Sequence, residues 1–313
     1  MFAAKYDFSQ ELLRYGPQSG YQPPTLRQAR AYCRRLARRH YENFTAVTRL
    51  LPRRLRQHFS NIYAYCRWAD DLADEAGDPR TATALLGWWE QQLRACYQKQ
   101  STHPVFVALG ETIERFKIPI TPFVDLLSAF RQDQHIFRYE TFDQVLEYCR
   151  YSAHPVGRLV LHLAECHTPQ RCQLADSICT GLQLVNFCQD VPIDWQRGRI
   201  YLSCVDRARF GCEEDAFRQG KTTPGFARVL AAYCDHAEGF LRGGWPLVAL
   251  MPYEFQLPTA AFVHGGLAAV EAIRRAQFDV WATRPRVSRW TKFGIILRCW
   301  WRHQRGTLAG NPP

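Results

Sequence analysis

The sequence predicts an all-α fold on three observations: apolar residues recur at three- and four-residue spacing, Pro and Gly punctuate those stretches, and long alternating β-branched runs bounded by turns are absent. The chain has 313 residues, 47% hydrophobic and 22% charged, enough for a sizeable core and too apolar for disorder. No internal repeat or low-complexity linker divides it, so one all-α domain fits better than two.

Taken in order, residues 1–24 read as a loose lead-in ending in Gln22-Pro23-Pro24. Thr25 caps a basic helix that runs to about residue 41. Leu51-Pro52 opens a helix whose apolar stripe of Phe59, Ile62, Tyr63 and Cys66 continues to Asp74, and Gly77-Asp78-Pro79 ends it. Further helices are expected over 80–98, 103–116, 121–133, 141–166, 170–197, 224–242 and 258–283. The domain proper spans 25–292, and 293–313 form a basic, aromatic tail.

The formal net charge of +11 suits anionic partners: a phosphorylated substrate, an acidic membrane surface or nucleic acid. The basic run from Arg27 to Arg39 comes without any nucleic-acid-binding motif, so no nucleic-acid partner is expected. Twelve cysteines show no CxxC pair or zinc-type spacing. Cys66, Cys149, Cys179 and Cys188 lie among apolar neighbours, as thiols packed in a reducing cytosol would. The first 14 residues hold no apolar stretch of signal-peptide type, and no segment approaches the roughly 18–20 apolar residues that span a bilayer. His58, His103, His135, His154 and His162 show no ligand spacing.

Chemistry first shows at Arg67-Trp-Ala-Asp70-Asp71-Leu-Ala-Asp74. Asp70 and Asp74 are four apart, so on a helix they share a face with Cβ atoms about 5–6 Å apart, and Arg67 shares it too. Like charges at that spacing weaken a helix unless a cation or solvent compensates. Mg²⁺ takes carboxylate and phosphate oxygens while keeping waters, so a carboxylate pair beside an arginine suits a metal-bridged diphosphate. A single cluster of this kind is more often a solvated helix end.

A second stripe changes the balance. Gln183, Asn186, Asp190 and Asp194 form one polar line, while Leu184, Val185, Phe187, Val191 and Ile193 fill the other directions. A helix apolar nearly all round is buried, and a buried carboxylate needs a partner or a metal. Arg197-Gly198-Arg199 follows at once. Two such acidic helices can hold a diphosphate through Mg²⁺. Pro192, between Asp190 and Asp194, should kink or end the helix, which weakens the case for Asp194.

At these residues the sequence resembles the squalene/phytoene synthase family of head-to-head prenyl transferases, over about 38–292. The strings that carry the likeness are Tyr63 to Asp74, Tyr148 to Gly157, and Gln183 to Leu202 with its trailing Arg-Gly-Arg-Ile-Tyr-Leu. The resemblance implies the isoprenoid-synthase helical bundle with a central apolar cavity and two or three Mg²⁺ ions at its mouth. It implies metal or metal-water contacts for Asp70, Asp74, Asn186, Asp190 and Asp194. Diphosphate or substrate contacts are implied for Tyr63, Arg67, Tyr148, Gln183, Arg199, Tyr201, His40, Asn43 and, at a loosely matched C-terminal position, Arg286. Departures from the family pattern are Tyr41 and Asn43 in place of Ser, and Gln189 in place of Arg. His40 to Phe44, Ser152-Ala-His-Pro-Val-Gly157 and Asn186-Phe-Cys-Gln-Asp190 resemble the bacterial hopanoid-pathway branch, which includes hydroxysqualene synthase.

The implied reaction is ionisation of an isoprenoid diphosphate, with presqualene diphosphate as the expected substrate and water capturing the rearranged cation. Aromatic rings such as Phe44, Tyr63, Phe187 and Trp195 would shelter the positive charge, although each also reads as core packing. No GxGxxG follows a strand, and no NADPH is expected. The competing readings are squalene or phytoene synthase, a non-catalytic relative acting as an assembly factor, and a basic nucleic-acid-binding protein. The segment from Arg284 to Arg305 interleaves basic and aromatic residues, as either a last core helix or a contact with the anionic inner face of the membrane would. Pathway enzymes are further expected partners.

Overall fold

The structure, a computed structural model, describes residues 7–40, 50–308 and 310, and of Arg39 and His40 the backbone alone. Among the described residues there are helices and one isolated parallel bridge, Arg138 to Ile200, but no β-strand. The chain divides into two compact units, 1–135 and 136–313. No described helix is long and apolar enough to cross a membrane.

The first unit is built on α1 (Phe8–Tyr15), α2 (Leu26–His40), α3 (Arg56–Asp74), α4 (Pro79–Tyr97), α5 (Pro104–Phe116) and α6 (Thr121–Gln132). The stretch read as a loose lead-in holds α1, because Asp7 caps it through the Gln10 amide and Phe8 is buried edge-on against Trp68, ring centroids 5.1 Å apart. A helix this short offers too few turns for its period to stand out. Helix α3 runs through the middle of the unit and packs on α2, α4, α5 and α6. Its buried face stacks Trp68 on Trp89 at 5.2 Å and sets Tyr65 edge-on to Phe123 at 5.0 Å. The polar tips find partners: Trp68 Nε1 donates to Tyr32 Oη and Tyr65 Oη to the Phe123 carbonyl, both at 2.9 Å. His103 lies under these rings and accepts from the Val105 amide at the start of α5; burial pushes its pKa down to about 3, so it stays neutral.

The second unit contains α7 (Phe142–Ser152), α8 (His154–Leu163), α9 (Pro169–Gln189), α10 (Val191–Gln196), α11 (Cys204–Phe210), α12 (Glu214–Gln219), α13 (Pro224–Gly243), α14 (Leu247–Leu250), α15 (Tyr253–Arg275) and α16 (Arg289–Gln304). The single helix expected over 141–166 breaks at Ala153, and Pro155 sits in the first turn of α8, where its missing N–H costs nothing. Helix α9 is the spine of this unit and lies against α8, α13 and α15. Its approach to α13 is close because Gly181 faces it: a Cβ there would stand 2.7 Å from Leu241 Cγ and 2.9 Å from the Ala237 carbonyl oxygen. We expect Gly181→Val to cost about 1–3 kcal/mol through overpacking. Gly239→Ala, on α13 with open space around it, should instead gain about 0.5–1 kcal/mol from helix propensity. Thermal unfolding of the two variants checks the opposite signs.

Candidate active site

The first acidic cluster closes α3. Asp70 and Asp71 follow Arg67 by one helical turn, so one guanidinium reaches both: Nε donates to Asp71 Oδ2 at 3.1 Å, Nη2 to Asp71 Oδ1, and Nη1 to Asp70 Oδ2 at 3.0 Å. The two carboxylates differ in setting. Asp71 is 1% exposed and held by a bidentate fork, whereas Asp70 is 41% exposed and shares only the third nitrogen. Burial works against the charge on Arg67, but Asp71 and Asp70 outweigh it and raise its pKa. Asp71 thus anchors the arginine. Asp70 and half-buried Asp74, on the solvent side, are the carboxylates able to take up a cation. Tyr63, one turn before Arg67, is half-buried, and burial pushes its phenol up to about 12, so it is a neutral donor near pH 7.

The second cluster sits at the end of α9. Gln183, Asn186 and Asp190 occupy successive turns, and Asn186 is exposed. The helix stops at Asp190, yet the register survives: the Asp194 amide donates to the Asp190 carbonyl at 2.8 Å, as it would in an unbroken helix. Pro192 falls in the first turn of α10, where no donor is required. The proline therefore does not carry Asp194 out of line with Asp190. The Asp194 carbonyl then accepts from the amides of Arg197 and Arg199 at 3.1 and 2.8 Å, which turns the chain tightly after the helix.

Behind this cluster is a packed aromatic group. Phe187 stacks on Tyr201 at 4.0 Å, Tyr139 on the same ring at 5.6 Å, and Tyr201 Oη donates to Tyr148 Oη at 3.5 Å. All four rings are buried. Phe187, Tyr148 and Tyr201, picked from the sequence for separate reasons, thus meet in one place. Trp195 stands elsewhere, against Phe217 and Arg138.

A residue that the sequence reading passed over completes this cluster. Arg284 lies beside Asp190, with Nη2 donating to Oδ2 at 2.8 Å and Nε 2.5 Å from Oδ1. The shorter contact is an ion contact without hydrogen-bond alignment, since Asp190 Oδ1 and Arg284 Nε are both buried and have no directed partner. Burial raises the pKa of Asp190, and the charges of Arg284, Arg197 and Arg286 only partly offset that. Arg286, the residue expected from the sequence, is exposed and acts on Asp190 only through its charge. Arg284 is held in place because Gln189 Nε2 donates to the Pro285 carbonyl at 2.5 Å. No local signal points to Arg284, which is 94 residues from Asp190. Asp71 was readable, four residues after Arg67 on one helix face.

The donor set fits Mg²⁺. Both clusters offer hard carboxylate oxygens: Asp70 and Asp74 on α3, and Asp190, paired with Arg284, beside Asp194 at the second. Among the described residues no three His, Cys, Asp or Glu side chains form a ready-made metal cage. Mg²⁺ does not need one, because it keeps waters and takes oxygens from one or two carboxylates and the substrate phosphates. His154 is committed elsewhere: its Nε2 is 2.8 Å from Thr180 Oγ1 and its Nδ1 3.5 Å from Asp176. Asn43 and Phe44 lie outside the described residues, as does the side chain of His40.

The family model described as squalene/phytoene synthase matches residues 37–291. Phytoene synthase from Arthrospira platensis is 30% identical over 285 residues, covering 86% of this chain and 92% of the relative. Hydroxysqualene synthase from Rhodopseudomonas palustris is 33% identical over 212 residues, covering 66% of this chain and 70% of the relative. The crystal structure of squalene synthase HpnC from Alicyclobacillus acidocaldarius matches with a TM-score of 0.77 at 41% identity, over 81% of this chain and 96% of that one.

Proposed function

The chain belongs to the squalene/phytoene synthase family, with the all-α isoprenoid-synthase fold of its solved relatives, and from that premise we propose that it is a hydroxysqualene synthase acting on presqualene diphosphate. Asp70 and Asp74 in the first unit, and Asn186, Asp190 and Asp194 in the second, are the residues that would hold Mg²⁺, which would supply Lewis acidity toward a leaving diphosphate. Arg67, held by Asp71, keeps positive charge beside Asp70, where diphosphate oxygens would arrive. Arg284, on Asp190, does the same at the second cluster. As the C–O bond breaks, its electron pair leaves with the diphosphate and a cyclopropylcarbinyl cation remains. The packed group of Phe187, Tyr148 and Tyr201 is the aromatic surface that would shelter such a charge. After rearrangement one water adds to the cation and loses a proton, giving the alcohol.

The observation that carries this choice within the family is Gln189. The family pattern has arginine there, a second phosphate donor beside the aspartate. Here the side chain is neutral, buried and committed to the Pro285 carbonyl. A site short of one cation suits a substrate with one diphosphate better than two prenyl diphosphates held at once. Condensation of two prenyl diphosphates, the activity of squalene and phytoene synthases, is the alternative. The assembly-factor reading is weakened by both aspartate pairs being intact.

Pure protein incubated separately with farnesyl diphosphate and presqualene diphosphate, with and without Mg²⁺, decides the matter by mass spectrometry of the lipid formed. Hydroxysqualene is expected from presqualene diphosphate, with Mg²⁺ and without NADPH. Turnover of farnesyl diphosphate alone would refute the assignment.

A further inference from the structure

Helix α16 is apolar on two sides. Its inner edge is buried through Cys299 and His303 where the helix packs on α15, and Leu308 buries the chain just beyond it. A surface helix of this kind should turn polar side chains outward. Instead Trp290, Phe293, Leu297, Trp300 and Trp301 recur at i, i+3, i+7, i+10 and i+11, which is one helical face, and all are exposed. Trp290 is 83% exposed, Phe293 62% and Trp301 52%. Thirteen large apolar side chains are exposed among the described residues, and five of them lie on this helix, so the patch is a concentration rather than the usual scatter. Tyr253, stacked on His303 at 4.0 Å, extends it from the start of α15.

The rim of the stripe is basic. Arg289 lies on one side of it, Arg298 and Arg305 on the other, and Arg305 sits over the Trp301 ring at 5.6 Å. After Asp279 the chain carries seven Lys and Arg residues and no acidic one. The stripe is too short and too flanked by charge to enter a bilayer, but it suits the headgroup layer. There, Trp rings settle at the boundary while arginines meet lipid phosphates. A second copy of the chain is a poor occupant: an isologous contact would bring the same arginine rows together with no carboxylate in the segment to pair them.

We infer that the exposed face of α16 docks the protein on an anionic membrane surface, with Trp290, Phe293 and Trp301 in the headgroup layer and Arg289, Arg298 and Arg305 on lipid phosphates. The inference is independent of which isoprenoid the enzyme converts. Co-sedimentation of the full chain with vesicles tests it, using phosphatidylcholine alone and phosphatidylcholine containing phosphatidylglycerol. The wild type should sediment with the anionic vesicles, and added salt should weaken it. The triple variant Trp290→Ser, Phe293→Ser, Trp301→Ser should lose about tenfold or more in partitioning, with an unchanged melting temperature because these side chains touch little. Arg298→Gln with Arg305→Gln should lose about tenfold on anionic vesicles only. Leu13→Ser, an equally exposed apolar side chain in the first unit, should change nothing. Failure of the wild type to sediment, or undiminished binding by the triple variant, overturns the inference. So does self-association without vesicles that the triple variant abolishes, since the face would then belong to a second copy.

Discussion

Asp190→Asn is expected to lower Mg²⁺-dependent turnover by about 10²–10³-fold while leaving the metal-free protein as stable as the wild type or slightly more so. The loss follows from the carboxylate's proposed part in holding the cation that meets the leaving diphosphate, where one charged ligand is worth about 3–4 kcal/mol of barrier. The stability half follows from the pKa direction. Asp190 titrates above an ordinary carboxylate because burial outweighs the cations around it. The folded chain therefore binds that proton more tightly than the unfolded chain does. At neutral pH the charged form costs stability; the cost shrinks as pH falls through the raised pKa and is gone below the ordinary carboxylate value. Asparagine keeps the shape and removes the charge. Product formation at saturating Mg²⁺, beside melting curves in EDTA, reads both halves. A variant that melts well below the wild type would show Asp190 to be a structural ion-pair partner of Arg284 instead.

Arg67→Met should act in the opposite way, losing about 3 kcal/mol of stability as well as turnover. Removing the guanidinium takes from Asp71, 1% exposed, its bidentate counter-charge, and loss of the counter-charge of a buried carboxylate is among the more expensive single changes in a core. Arg67→Lys should recover little, because an ammonium cannot make the two parallel contacts that Nε and Nη2 make. The double variant Arg67→Met, Asp71→Leu removes both charges and should regain most of the stability without regaining turnover. Urea unfolding of the three variants measures the first effect and product formation the second. If Arg67→Met melts like the wild type, Asp71 is not anchored by this arginine.

These two variants also mark what could be read from the chain. The all-α class, the helix carrying Asp70 and Asp74, and the polar line Gln183, Asn186, Asp190 were legible because each depends on a period of three to four residues within one helix. The pairing of Arg67 with Asp71 is equally local. Helix α1 and the short α11 and α12 were missed, since elements of six to eight residues give too few turns to show a period. Pro192 ends the helix as its position suggested: α9 stops at Gln189 and α10 begins at Val191, with the proline in a first turn where no donor is required.

What the sequence determined by itself was the local chemistry: which carboxylates share a face, which arginine stands one turn away, and that the family's aspartate spacing is complete. What only the tertiary structure decided was the choice among residues distant in the chain. It is Arg284, 94 residues away in the chain, that meets Asp190, and Gln189 holds the loop that brings it there. It likewise decided that the aromatic edge of α16 faces outward while Cys299 and His303 face in. The physical reason is common to both. Helical periodicity fixes the direction of a side chain relative to its own axis, but which direction is inside depends on the neighbours packed against the helix.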